Sequence, residues 1–243
     1  MSRQFQPSSI RFVLFDLAGT TVQDGRPGDS LVIHELENTL LSAGAPVPVD
    51  VLTAQRGRDH HRAIRDLLQQ YRPAPPATDA EVDALFASLH AHLLDRVGEL
   101  TEVPGAAATF RFLRSRGVGV GVGSGFPREL IEAVVASLQW GERGLLDYVE
   151  STGTIGAGRP DPGMIRDVMS RFAIADPGQV LKVGDTVVDV AEGRNAGAWT
   201  VSVLTGTQGR TALEAAGPDF ILESVADLPR LWEAAGKAAI NAI

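Results

Sequence analysis

Cysteine is absent from the 243 residues, which excludes disulfides, thiolate nucleophiles, zinc–thiolate sites and iron–sulfur clusters. Lysine is nearly absent. Only Lys182 and Lys237 occur, so any chemistry that needs a reactive amine has two candidates. Basic residues are outnumbered, 22 against 30 acidic ones for a net charge of -8. No basic stripe of the kind a phosphate backbone requires is present, which argues against nucleic acid as a partner. No apolar run approaches the ~18 residues that span a bilayer, and the opening MSRQFQPSSI has no apolar signal core, so no membrane partner is expected and a cytoplasmic location is the default. What is present, 44% hydrophobic and 21% charged residues with 26 Gly and 14 Pro, is the composition of a soluble globular chain. Its length suits one large domain or a domain carrying an insertion.

Periodicity divides the chain into three stretches. Residues 10–16 (IRFVLFD) form a short apolar run that ends in a carboxylate, the pattern of a buried parallel strand presenting Asp16 at its tip. From Asp29 to about Ala43, and then over 59–72 and 78–97, apolar residues recur at helical spacing and strand patterns vanish. After Pro104-Gly105 the pattern becomes strand–helix–strand: GVGVGVGSG, a helix from Pro127, and strands near 146–150, 180–184, 199–203 and 219–222. Such alternation predicts a doubly wound parallel α/β sheet covered by helices. Residues 1–22 and 101–243 would form it, and 23–100 would be an all-helical domain inserted after the first strand. An insertion there overhangs the carboxyl edge of the sheet, where open α/β folds bind their ligands.

Three strand ends carry polar groups that would meet at that edge: Asp16, Ser124 and Asp185. Taken singly, each is what a strand-ending turn uses anyway. Together, two carboxylates on converging strand ends make a site for a hard cation, and Mg2+ is satisfied by one or two carboxylates with water and substrate phosphate.

At this point the sequence resembles the haloacid dehalogenase-like hydrolases, whose four motifs stand here in order as FDLAGTTV, VGSG, GRPDP and VGDTVVD. Two features, Ala18 where the usual first motif has a second Asp and Arg159 where a Lys is usual, resemble the phosphonoacetaldehyde hydrolase (phosphonatase)-like branch. The resemblance implies a Rossmann-like core with a helical cap, and a nucleophilic Asp16 that forms an aspartyl phosphate. It further implies Mg2+ held by Asp16, the Ala18 carbonyl and Asp185, and homodimers that pair through their caps. The roles suit the residue types. A carboxylate attacks an anionic phosphoryl group only when charge is neutralised. The fork of Arg159 can grip two phosphoryl oxygens, with Ser124, Gly125, Gly19 and Thr20 completing the cradle. Asp189, one helical turn beyond Asp185, would orient ligands from behind.

One departure matters. The branch uses a cap lysine to form a Schiff base with its aldehyde, and the matching stretch here, RGRDHHRAIRDLL, has His60 at that position and no lysine. Ala18 has also removed the acid that ordinary phosphatases of the superfamily use. His60 is the candidate replacement, since histidine is the commonest general acid near neutral pH; its place on one face with Ile64, Leu67 and Leu68 equally suits a packed core histidine. If Asp59 caps this helix, His60 lies in the first turn, where the dipole disfavours imidazolium until an anion binds. Arg58 and its neighbours Arg56, His61 and Arg62 suit either a second anionic group on the substrate or a solvated face. His34, His90 and His92 read as surface or helix-packing residues. The expectation is therefore an Mg2+-dependent hydrolase cleaving a small phosphonate or activated phosphate, with phosphonoacetaldehyde itself disfavoured. The alternatives are a small-molecule phosphate-ester phosphatase of the phosphoglycolate phosphatase type and a phosphate-binding relative without turnover.

Overall fold

A computed structural model describes residues 4–26, 29–73, 75–156 and 158–233. The first strand, β1 (Phe12–Phe15), is four consecutive buried apolar residues. It is followed by the short strands β2 (Val22–Gln23), β3 (Gly25–Arg26) and β4 (Asp29–Ser30). Then come four helices: α1 (Leu31–Ser42), α2 (Val49–Thr53), α3 (His60–Tyr71) and α4 (Asp79–Asp95). Strand β5 (Thr101–Glu102) pairs antiparallel with β2 and so ties the outgoing chain to the returning one. Beyond it run α5 (Ala106–Arg114), β6 (Gly119–Ser124), α6 (Arg128–Ser137), β7 (Tyr148–Ser151), α7 (Thr152–Ile155), α8 (Gly163–Arg171) and β8 (Val180–Gly184). The series ends with α9 (Val187–Ala196), β9 (Trp199–Val203), α10 (Arg210–Ala216) and β10 (Phe220–Leu222).

Six parallel strands form the main sheet in the order β10-β9-β8-β1-β6-β7. The doubly wound α/β architecture expected from the alternation is therefore present. Side chains alternate across β1. Phe12 and Leu14 pack with Met164, Ile165 and Val168 of α8, while Val13 and Phe15 belong to the core built with Phe110, Leu130 and Ile131 of α5 and α6. The glycines of β6 make room for aromatic neighbours. A Cβ at Gly119 would fall 2.5 Å from the Phe12 ring, and one at Gly121 would fall 2.8 Å from Tyr148 Cβ.

Asp59 caps α3 as expected, and Ser30 and Thr78 likewise accept from the backbone of the first turns of α1 and α4. The apolar face of α3 (Ala63, Ile64, Leu67, Leu68) is buried within the chain itself, so this face is not open to a second copy. Among the described residues no helix is long and apolar enough to cross a membrane.

Because the strand order reverses on either side of β1, the carboxyl ends of β1, β6 and β8 converge on one crevice. The loop before α3 is seated directly on it. A Cβ at Gly57, where φ is +81°, would meet Thr186 Oγ1 at 2.6 Å, and one at Gly158 would meet Asp59 Cβ at 3.1 Å.

Candidate active site

Asp16, Ser124 and Asp185 stand at the ends of adjacent strands, all buried. Arg159 reaches them from the loop before α8. Its Nη1 donates to Asp16 Oδ1 at 2.7 Å and to Asp189 Oδ1 at 2.8 Å. Asp16 Oδ2 accepts from no described residue, and Asp16 lines a narrow cleft together with Ala18, Val32, Arg58, His60, Ser124, Gly125 and Phe126. About 30 Å³ of this cleft is open to water centres, room for only a few waters.

Asp185 follows β8, the strand paired with β1. Thr20 Oγ1 donates to its Oδ1 at 2.9 Å, while Oδ2 is buried without a hydrogen-bond partner. The orphaned oxygen leaves no room for side chains beside it: a Cβ at Gly19 or Gly206 would fall 2.5 or 1.8 Å from it. Carboxylate oxygens of Asp16, Asp185 and Asp189 come within 4.8 Å of one another. Burial, reinforced by the charges of Asp16 and Asp189, pushes the Asp185 carboxyl up to about 7 against the opposing pull of Arg56. Burial also raises Asp16, with Arg159 opposing. Two carboxyls that resist ionisation side by side, one with an unmatched oxygen, are what a bound dication relieves; the residues present fit Mg2+.

Asp189 is fixed from three sides. It closes a capping box with Thr186 at the start of α9, accepts from Arg159, and lies 3.1 Å from Lys182 Nζ. Burial opposes its charge, but Lys182 and Arg159 outweigh that and hold the carboxyl below its ordinary value. Lys182 also meets Glu192 at 3.1 Å and is wholly buried. It is an electrostatic pillar under the site, not an exposed amine. Lys237 lies outside the described residues.

Thr20 and Gly19, expected in the phosphoryl cradle, do not line the cleft. Thr20 is fully buried and its hydroxyl is committed to Asp185, and Gly19, at φ +89°, backs the same carboxylate. Ser124 and Gly125 do line it. Gly125 is squeezed between the Arg58 carbonyl, 2.9 Å from where a Cβ would stand, and Arg159 Nη2 at 3.6 Å. Arg159 Nε is buried without a partner, a donor still to be matched.

The stretch 56–60 splits into unlike parts. Arg56 is buried: Nη1 donates to Asp24 at 2.8 Å and to Ser30 at 2.6 Å, and Nη2 donates to the Ala18 carbonyl at 3.0 Å. Neither the solvated face nor the second-anion role is what its contacts serve. Arg58 is half-exposed and paired with Asp66 at 2.8 Å. His60 is buried on the cleft wall, edge-on to Phe126. Burial, aided by Arg56 and Arg159 against Asp59, pulls its imidazole down to about 4. His90 is the helix-packing case of the two expected for it: it is buried, with its Nε2 3.2 Å from His60 Nδ1. Phe126 on the cleft wall, and Asp24, Gly206 and His90 packed behind cleft residues, are neighbours that the sequence reading did not assign. Only the charge run around Arg56 offered a signal.

The family model for haloacid dehalogenase-like hydrolases matches residues 10–197, and the chain belongs to that family of hydrolases. Its relatives agree with the phosphonatase-like branch. The chain is 28% identical to a phosphonoacetaldehyde hydrolase of Latilactobacillus sakei over 92% of this chain and 95% of that one. Among solved structures it resembles a phosphonoacetaldehyde hydrolase-like protein from Oleispira antarctica (TM-score 0.80, 21% identity, 98% and 96% of the two chains). It also resembles a predicted phosphoglycolate phosphatase from Haemophilus somnus (TM-score 0.76, 18% identity, 93% and 99%). At these identities the structural likenesses speak for the fold alone.

Proposed function

We propose that this hydrolase depends on Mg2+ and transfers the phosphoryl group of a small phosphonate or activated phosphate first to Asp16 and then to water. The observation that carries the reading is the Asp16 carboxylate on the cleft wall, whose Oδ1 is clamped by Arg159 while Oδ2 accepts from no described residue. In this reading residues 23–100 are a cap over a catalytic core of 1–22 and 101–243. Asp16, Asp185 and the Ala18 carbonyl would hold Mg2+. The carbonyl has a second lone pair beside the one Arg56 uses. The ion supplies charge neutralisation between the nucleophile and the phosphoryl oxygens.

The protein's own groups do the rest. Arg159 aims Asp16 and offers Nε and Nη2 to phosphoryl oxygens, beside Ser124 and the Gly125 amide. Asp16 forms the new P–O bond as the bond to the leaving group breaks and that group departs with the electron pair. Water then attacks phosphorus and frees phosphate and Asp16. Among the described residues no amine stands in the cleft to form an iminium: Lys182 is locked between two acids below it. The leaving group must therefore be one that departs without an iminium, as from an acyl phosphate or as a stabilised enolate. A second reading, a phosphate-ester phosphatase, is favoured by His60 on the cleft wall, where an acid is needed to protonate an alkoxide.

Phosphate release in the presence of Mg2+, compared for acetyl phosphate, phosphoglycolate and phosphonoacetaldehyde, tests the proposal. Turnover of acetyl phosphate, silence with phosphonoacetaldehyde and loss of activity in Asp16→Asn are expected. Undiminished release by Asp16→Asn overturns it, and turnover of phosphoglycolate alone moves the assignment to the second reading.

A further inference from the structure

Two histidines pair inside the helical stretch, away from any need of the core. His60 opens α3 and His90 sits in the middle of α4. Both are buried, at 8% and 6% exposure, with His60 Nδ1 3.2 Å from His90 Nε2. The His90 ring is itself fixed edge-on against Phe86 at 4.0 Å. A packed core would take two aliphatic side chains here at lower cost than two imidazoles that must satisfy each other. His60 Nε2 has no partner among the described residues, and His60 lines the cleft while His90 does not.

We infer that His90 is a positioning residue whose Nε2 accepts the His60 Nδ1–H. His60 therefore presents Nε2 to the cleft as a bare lone pair when neutral and as an N–H donor when protonated. This inference rests on phosphoryl transfer through Asp16. The opposite polarity, with His90 donating, would leave neutral His60 holding its last proton on Nε2, and giving that proton up would create an imidazolate. With His90 as acceptor the cycle balances. Protonated His60 gives its Nε2 proton to the departing group as the Asp16–phosphorus bond forms, and Nδ1–H stays on His90. Neutral His60 then takes a proton from the water that attacks phosphorus, as the Asp16–phosphorus bond breaks and its electron pair returns to the carboxylate. One imidazole thus serves as the acid and then the base that Ala18 cannot supply. The charged groups around the pair are Asp59, Arg56 and Arg159. Burial also pulls His90 down, to about 3, with His60 adding to the shift. The resting pair is neutral, and a phosphoryl dianion entering the cleft is what stabilises its proton.

The test combines imidazole 15N spectra of the whole chain with turnover of phenyl phosphate and para-nitrophenyl phosphate, whose leaving group needs no proton. The expected resting spectrum shows His60 protonated on Nδ1 and bare on Nε2, with that preference lost in His90→Phe. His90→Phe should lower kcat/KM, which reports transfer to Asp16 alone, by about 10–100-fold for phenyl phosphate while leaving that of para-nitrophenyl phosphate nearly unchanged; kcat, which includes the attack of water, should fall for both. His90→Gln, whose amide oxygen can accept from Nδ1, should recover much of the loss. A proton on His60 Nε2 in the resting protein, or equal losses of kcat/KM on both esters, overturns the assignment. Activity retained by Asp16→Asn would instead fault the underlying reading, and the 15N spectra judge the histidine pair in either case.

Discussion

The floor and the roof of the cleft hold charge in different ways. On the floor, Asp16, Asp185 and Asp189 crowd together with Arg159 and Lys182, and several atoms are left unmatched among the described residues: Asp185 Oδ2, Arg159 Nε and Asp16 Oδ2. On the roof, both terminal nitrogens of Arg56 are matched by Asp24, Ser30 and the Ala18 carbonyl, and Arg58 is turned to Asp66. Unmatched polar atoms that are buried cost free energy unless a ligand completes them. The floor is thus built to receive charge, and the roof, apart from His60, is built to hold itself shut. In the proposed function the phosphoryl chemistry would belong to the floor, and the choice of leaving group to the few roof residues that reach the cleft.

The largest effect that would break this contrast lies in the roof. Asp24→Ala leaves the Arg56 guanidinium buried without its carboxylate and should cost about 3–5 kcal/mol of unfolding free energy. Chemical denaturation measures it, and the double variant Asp24→Leu/Arg56→Met should recover most of the loss. A small cost in the single variant would mean that the roof opens readily to water.

On the floor, Gly206→Ala drives a methyl group into Asp185 Oδ2. An about 10–100-fold weaker response to Mg2+ is expected in titrations of activity or thermal stability. An unchanged response would place the ion elsewhere.

Acid should separate the two walls further. His60 is held near 4 and His90 near 3 in the fold, against 6.5 as the ordinary value. The unfolded chain therefore binds protons that the folded one refuses. The stability this represents is complete above pH ~6.5 and is lost as pH falls toward 4, by about 2 kcal/mol per group at pH 5. Unfolding curves at pH 7 and 5 for the protein and for His60→Gln should show the smaller loss in the variant. The smallest effect is that of Arg58→Ala. It removes an exposed pair and should change stability by less than about 1 kcal/mol. A raised KM at constant kcat in that variant would show that Arg58 contacts a second anionic group on the substrate.

The same contrast decides what could be read before any coordinates. The floor was legible because each strand delivers its polar tip by a fixed register, so Asp16, Ser124 and Asp185 had to converge once the sheet order was parallel. Arg159 and Asp189 followed from their places in short motifs. The roof was not, because its contacts cross between helices and loops that no local period relates: Arg56 finds Asp24 across 32 residues, and His60 finds His90 across 30. For Thr20 the reason is simpler. Its position beside the motif is right, but the side chain turns inward to hold Asp185 instead of outward to the cleft. The helix α2 and the β2–β5 tie were too short for periodicity to register.

Asp16 is the proposed atom donor to phosphorus. Rapid acid quench during turnover of acetyl phosphate with Mg2+, followed by mass spectrometry of the peptide that carries Asp16, tests it most directly. A phosphoryl increment on Asp16, absent from Asp16→Asn and decaying as substrate is exhausted, is the predicted result. Phosphate release with no covalent adduct on that residue at any time, or equal release from Asp16→Asn, would contradict it.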